Sequence, residues 1–396
     1  MFENIEMAPA DPILGLTEAY KKDARPEKIN LGVGIYMNEK GVTPIFDSVK
    51  RAEKLLVEKE TTKSYLPIPG APEYGAEVRK LIFGADHEII ANKRAVTAHT
   101  PGGTGALRVG GDFVKRIFPN ARIWISAPSW ENHKGVFTAA GLEVKTYPYY
   151  DAEKKALAFE DMMRVLNEVP SGDVVLFHAC CHNPTGMDPN AEQWSEIAAT
   201  VERRGFLPFV DFAYQGLGDG LDEDAAGVRK LCKPGKELII SSSFAKNFGL
   251  YNERAGAITL VTPSEENAAR AFSQLKLSIR TNYSNPPAHG GLVVTTVLSN
   301  PELRALWVKE VKDMCARIQS MRELFVNTLK AKGVARDFSF ITRQKGMFSY
   351  SGLTRDQVDA LRDKHGIYIV GSGRINVAAM TPSNMEPLCN AIAEVL

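Results

Sequence analysis

Short apolar runs and amphipathic stretches alternate along the middle of the chain. Residues 121–128 (ARIWISAP), 173–181 (DVVLFHACC), 206–214 (FLPFVDFAY), 237–244 (ELIISSSF) and 256–262 (GAITLVT) are rich in β-branched and aromatic side chains and read as strands. Between them lie stretches such as 191–205 (AEQWSEIAATVERRG), whose apolar positions recur at helical spacing. This alternation predicts an α/β layer with a largely parallel sheet. Strands this continuously apolar are covered by helices on both faces. From about residue 302 the pattern changes. Leu303, Trp307, Val311, Met314, Ile318, Met321, Phe325 and Leu329 form one helical stripe, a helix of about 302–332 long enough to bridge two domains. Beyond it, 337–342 (DFSFIT) and 346–352 (GMFSYSG) read as short strands. Thr354 and Gln357 form a capping box opening a helix, and IYIV, RINVAA and a last helix follow. The expected division is an N-terminal arm (1–14), a smaller α+β domain (15–45 and 315–396) and a large domain (46–314).

Composition narrows the functional classes. The chain has 396 residues, with 48 basic against 47 acidic side chains, so nothing in its net charge of +1 favours nucleic acid or an anionic membrane. No run of apolar residues approaches a membrane span. The first residues, MFENIEMAPADPILGL, carry acidic groups and no basic cluster, unlike a signal or transit peptide. Five irregularly spaced cysteines point to reduced thiols and a cytoplasmic location.

Ligands of parallel α/β sheets bind at the carboxyl ends of strands, and four such places carry unusual residues. Gly102, Gly103 and Thr104 form a glycine-rich turn entering a helix, where free backbone N–H groups suit a phosphate. The turn fits neither the dinucleotide fingerprint nor the P-loop. One strand ends at Asn183 before Pro184, another at Asp211 with Tyr214, and a third near Ser243 and Lys246. Each has a plain structural reading: a tight turn, a cap or paired carboxylate, a core aromatic. Lys246 is the sharpest case, because burial and a nearby cation such as Arg254 would lower its pKa and expose a nucleophilic amine. Ser243-x-x-Lys246 also matches a serine acyl-enzyme signature, but the partner strings S-D-N and K-T-G are missing from the sequence. In HACCH (178–182), alternation puts 178, 180 and 182 on one face and 181 on the other, with no second ligand pair, so no metal is expected. Together an amine, an anion, ring donors and a phosphate cup fit one cofactor, pyridoxal 5′-phosphate.

The sequence resembles the class I, fold type I, pyridoxal-phosphate aminotransferases, and within them the bacterial aspartate and aromatic-amino-acid enzymes. The resemblance runs over essentially the whole chain through LGVGIY, TPGGTGALRVG, PSWENH, HACCHNPTG, DFAYQG, SSFAKNFGLYNERAG, RTNYSNPP and SGRINVA. It implies a large domain with a mostly parallel seven-stranded sheet and a smaller α+β domain. It implies that Lys246 carries the cofactor and moves the proton, and that Asp211 pairs with the ring nitrogen, backed by His133 and His178. Asn183 and Tyr214 would donate to the ring hydroxyl, and Trp130 would stack on the ring. Gly102, Gly103, Thr104, Ser243 and Arg254 would hold the phosphate, joined by Tyr65 of a neighbouring subunit. Gly34 would line the substrate pocket, Arg374 would bind the α-carboxylate helped by Asn183, and the neighbour's Arg280 the distal carboxylate. The implied activity is ping-pong transfer of an amino group from aspartate, and from aromatic amino acids, to 2-oxoglutarate in a homodimer with shared sites. Met37 and Ile35 make the pocket mouth more apolar than in aspartate-type relatives, while Thr43, Thr104 and Asn285 remain aspartate-like. A primarily aromatic aminotransferase and a catalytically silent cofactor-binding protein are the alternatives.

Overall fold

The computed structural model describes residues 2–8 and 14–396, so part of the expected N-terminal arm (1 and 9–13) lies outside the described residues. The chain divides into two compact units, Pro44–Asn183 with Met187–Ala316, and Met1–Thr43 with Pro184–Gly186 and Arg317–Leu396.

The larger unit is built on a seven-stranded sheet. Its strands are β1 (Ala95–Pro101), β2 (Arg122–Ala127), β3 (Glu143–Pro148), β4 (Val174–His178), β5 (Leu207–Phe212), β6 (Leu238–Ser243) and β7 (Ala255–Val261), in the order β1-β7-β6-β5-β4-β2-β3. Only β7 runs antiparallel to its neighbours. Alternation along a strand sends successive side chains to opposite faces. Leu176 of β4 joins Phe209, Ile239 and Ile258 in one core, beneath helices α1 (Gly102–Ile117), α2 (Asn132–Ala139) and α4 (Glu265–Asn282). Its neighbour Phe177 turns the other way, to Phe206 and to Trp194 of helix α3 (Ala191–Arg204). Helix α3 starts at a capping box between Asn190 and Gln193 and stops at Gly205 in the left-handed region. The mostly parallel sheet with helices on both faces is thus present as expected.

The two edge strands, β1 and β3, went unread in the sequence because they mix polar with apolar residues. Four of the five strands that were read begin and end within one or two residues of the expected bounds. The fifth, expected to reach residue 181, stops at His178, because Cys181 adopts φ +53° and turns the chain.

In the smaller unit, Ile29–Asn30 pairs in parallel with Ile367–Tyr368, and Phe348–Tyr350 pairs antiparallel with Arg374–Asn376. The capping box at Thr354 and Gln357 opens helix Arg355–His365. Residues 337–342 do not form the expected strand. Asp337 accepts hydrogen bonds from the backbone N–H and hydroxyl of Ser339 and starts a 3₁₀ turn, Ser339–Arg343. Helix Pro301–Ala331 gives its first half to the larger unit and its second half to the smaller. No described helix is long and apolar enough to cross a membrane.

Candidate active site

Strand register lines up the polar groups at the carboxyl edge of the larger sheet. His178 lies opposite Asp211, and Asp211 opposite Ser241. Ser243 lies opposite Gly256, which lies opposite Thr100 just before the glycine turn. One line across five strands therefore gathers residues more than a hundred positions apart in sequence.

Asp211 is buried, and burial alone would favour its neutral acid. His133 on α2 reverses this, its Nε2 hydrogen-bonding Asp211 Oδ2 at 2.9 Å. With the further influence of His178 and Lys246, the carboxyl is held below its usual range. His133 Nδ1 meets the Ser129 hydroxyl at 2.8 Å, and that hydroxyl meets His178 Nε2 at 3.3 Å. The backbone N–H of Asn183 donates to His178 Nδ1 at 3.4 Å, which leaves the ring's proton on Nε2. Burial holds His178 neutral, with its pKa pushed down to about 3, aided by the nearby His133. The proton directions then follow around the chain. His178 donates to Ser129, Ser129 to His133, and His133 to Asp211. Ser129 was missed in the sequence. It follows the last residues of β2, in the same strand-end position that drew attention to Asp211, and sits four residues before His133 at the mouth of a helix.

Lys246 is part-buried in the loop after β6. Its Nζ lies 4.9 Å from the centre of the Tyr214 ring. Burial lowers its pKa to about 8. The Asp211 charge opposes that shift and the Arg254 charge adds to it. The loop is strapped from behind: Asn247 donates its side-chain N–H to the carbonyl of Gln215 (3.0 Å), and the Trp307 indole donates to the carbonyl of Asn247 (2.8 Å). The first bond ties the residue after Lys246 to the segment carrying Tyr214, and the second holds the same residue from the other side.

The glycine turn is shaped by close approach. Gly102 has φ +72°, and a Cβ there would lie 2.5 Å from Nη2 of Arg254. Arg254, itself at φ +52° and exposed, donates to the carbonyl of Tyr251. Gly103 sits against Ser243, and Ser241 donates to the Gly103 carbonyl at 3.2 Å. The first amides of α1 have no intrahelical acceptor, so they, the Ser243 hydroxyl and the Arg254 guanidinium form a cradle for an anion. A side chain at Gly102 would fill it. Thr104 lies in the first turn of the same helix. Trp130 is part-buried, with its ring edge-on to His133 at 5.2 Å.

Tyr65 and Arg280 are exposed, and Arg280 donates to the hydroxyl of Ser284. Arg374 belongs to the smaller unit, where it is buried, donates to the Gly32 carbonyl (2.7 Å) and covers the Phe348 ring at 4.1 Å. A Cβ at Gly34 would strike that ring at 2.7 Å, so Gly34 lets the Phe348–Arg374 stack close.

The HACCH segment differs from the strand reading. Cys180 and Cys181 both turn towards Asp224, with sulfur and carboxylate atoms within 4.8 Å of one another. Asp224 already accepts from three backbone N–H groups. Burial pushes Cys181 up to about 12 and raises Cys180 well above the ordinary thiol value, the opposite of a thiolate ligand. His182 instead hydrogen-bonds Ser126 and stacks on Tyr149.

The family model for class I and II aminotransferases matches residues 26–392. The chain belongs to that family. An aspartate aminotransferase from Escherichia coli (strain K12) is 59% identical over 396 residues, all of both chains. An aromatic-amino-acid aminotransferase from the same organism is 42% identical over 397 aligned positions, again all of both. The solved structure of an aromatic-amino-acid aminotransferase from Burkholderia pseudomallei, covalently bound to pyridoxal phosphate, superimposes with a TM-score of 0.97 at 52% identity. It covers 100% of this chain and 99% of that one. In this chain, the edge of the sheet offers one amine, one buried anion and one anion cradle together.

Proposed function

We propose that this chain is an aspartate aminotransferase that uses pyridoxal 5′-phosphate to pass the amino group of L-aspartate to 2-oxoglutarate, with aromatic amino acids as further donors. The observation that carries the reading is Lys246, an amine with a lowered pKa facing Tyr214 between the Asp211 carboxylate and the Arg254 cradle. Full-length identity of 59% to an aspartate aminotransferase supports the choice of substrate.

Bound there, pyridoxal phosphate supplies an aldehyde carbon that amines attack and a ring that accepts the electron pair left when Cα loses its proton. The chain's own residues do the rest. The α1 amides, Ser243 and Arg254 neutralise the phosphate. Asp211, kept ionised by His133, holds a proton on the ring nitrogen. Tyr214 and Asn183 hydrogen-bond the ring hydroxyl, and Trp130 covers a ring face. Lys246 would hold the cofactor at its aldehyde carbon and, displaced by the substrate amine, would be the group that moves the proton of substrate Cα. Arg374 grips the α-carboxylate with two parallel N–H donors, and Gly34 leaves room beside it. The donor leaves as a 2-oxo acid before the acceptor enters, a ping-pong order. We place Tyr65 and Arg280 in the site of a second copy in a homodimer, where Arg280 binds the distal carboxylate. Five reduced cysteines fit a cytoplasmic home.

Borohydride reduction of the purified protein, followed by peptide mapping, tests the core of this. The cofactor is expected on Lys246 alone. A label on another lysine, or none, overturns the reading. The apolar mouth at Met37 and Ile35 favours a second reading, a primarily aromatic enzyme. Comparing kcat/KM for aspartate and phenylalanine decides between them.

A further inference from the structure

His99 lies on β1, the edge strand of the sheet, and has no role in the site described above. It is 2% exposed, and its Nε2 has no hydrogen-bond partner among the described residues. Its outward-facing backbone groups catch two separate turns. The His99 N–H donates to the carbonyl of Pro69 at 2.9 Å, and its carbonyl accepts from the Tyr283 hydroxyl at 3.2 Å. The ring is wedged between the same two segments. It packs on Tyr74 at 4.4 Å, and a Cβ at Gly291 would lie 2.5 Å from Cε1. A Cβ at Gly70 would lie 2.6 Å from the Cβ of His99 and 3.3 Å from Pro286, so the two turns meet over this residue. Burial pushes the imidazole pKa down to about 4, so the ring is a neutral, fixed spacer at neutral pH.

The first turn follows Tyr65. The second follows Arg280, at the end of α4. Both side chains project from the surface, and the backbone of His99 bonds to both turns. We infer that His99 is the positioning residue for the half-site this chain presents to its partner, setting Tyr65 and Arg280 jointly through the Pro69 and Tyr283–Gly291 segments. The inference rests on the shared-site reading above. It makes an unusual demand: a defect at His99 belongs to the partner's active site and not to the one holding its own Lys246.

Displacing a positioned group by about an ångström costs up to roughly a hundredfold in rate. His99→Ala is expected to lower kcat/KM for aspartate by about tenfold, mainly through KM, and for phenylalanine much less. Gly291→Ala, which drives helix Ala288–Ser299 off the ring, is expected to do the same, and the double variant to recover. The deciding measurement uses differently tagged chains purified as heterodimers. In a His99→Ala/Lys246→Ala heterodimer, the one site with a lysine receives intact Tyr65 and Arg280 segments. Its kcat/KM for aspartate, per lysine, should equal wild type. A heterodimer that keeps the tenfold deficit overturns the inference, provided a Lys246→Ala/Arg280→Ala control regains activity. A control that regains nothing overturns the shared site, and this inference with it. Should His99→Ala fail to fold, Gly291→Ala takes its place in the same heterodimer. Unchanged kinetics in both single variants also refute the role.

Discussion

Two regions of the larger unit differ in what one chain can finish alone. At the carboxyl edge of the sheet, Asp211, His133, Ser129 and His178 satisfy one another within the same chain, and Lys246 sits in a loop strapped by Asn247 and Trp307. At the 280–285 corner, Arg280 is exposed and donates to the Ser284 hydroxyl, and Tyr65 is 92% exposed. The edge is pre-organised before any ligand arrives: burial keeps His178 neutral, and His133 keeps Asp211 ionised against burial. The corner has a shaped base, built on His99, and unfinished tips. Such a contrast is what the composite site proposed above requires, with reacting groups from one copy and a specificity group from the other.

The largest effect belongs to the edge. Lys246→Ala is expected to lower kcat by more than about 10⁴, since it removes both the attachment point and the group that moves the proton. Residual activity within tenfold of wild type would show that the amine is not the centre of the chemistry. Next come the arginines, and here the two regions separate. Removing one partner of a desolvated charge pair costs roughly 2–5 kcal/mol. Arg374→Ala should therefore lower kcat/KM by about 30-fold to several thousandfold for every amino acid alike. Arg280→Ala should spare phenylalanine and hurt aspartate at least about tenfold more. Equal losses on both substrates in the Arg280 variant would remove it from the distal carboxylate. They would also erase the distinction between edge and corner.

The edge was more legible in sequence than the corner, for a physical reason. Asp211 and Lys246 stand out because a charge at the end of an apolar strand is anomalous, and burial makes the anomaly informative. Arg280 and Arg374 look like ordinary helix and strand arginines, and only the family resemblance marked them. Ser129 escaped because a serine after a proline reads as a turn. His99 escaped because its work is done through backbone groups and ring volume, which no residue-type pattern carries. In the fold, the apolar central strands were read nearly to the residue, while β1 and β3, being half-polar edges, were not. The 3₁₀ turn at 339–343 passed for a strand because its phenylalanines alternate; the Asp337 side-chain bonds that start it override that period.

The smallest expected effect tests whether the edge is as pre-organised as its geometry indicates. In cofactor-free protein, burial lowers the pKa of Lys246 to about 8, opposed by Asp211 and reinforced by Arg254. A lowered pKa means the neutral amine appears at lower pH. At pH 7 about a tenth of Lys246 is neutral, against less than about a thousandth of an exposed lysine. The rate of its acylation by a small neutral ester, followed by peptide mass, should be half-maximal near pH 8, while exposed lysines keep rising beyond about pH 10. The neighbours then shift the midpoint in opposite directions. Arg254→Gln removes a repelling cation, stabilises the ammonium and moves the midpoint up. Asp211→Asn removes an attracting anion and moves it down. Each shift should be smaller than the one caused by burial, because burial is the largest influence on this group. A midpoint at the ordinary lysine value would mean that water reaches the amine freely and that the loop is not held as described. Equal and same-signed shifts in both variants would mean that general loosening, and not charge, sets the value.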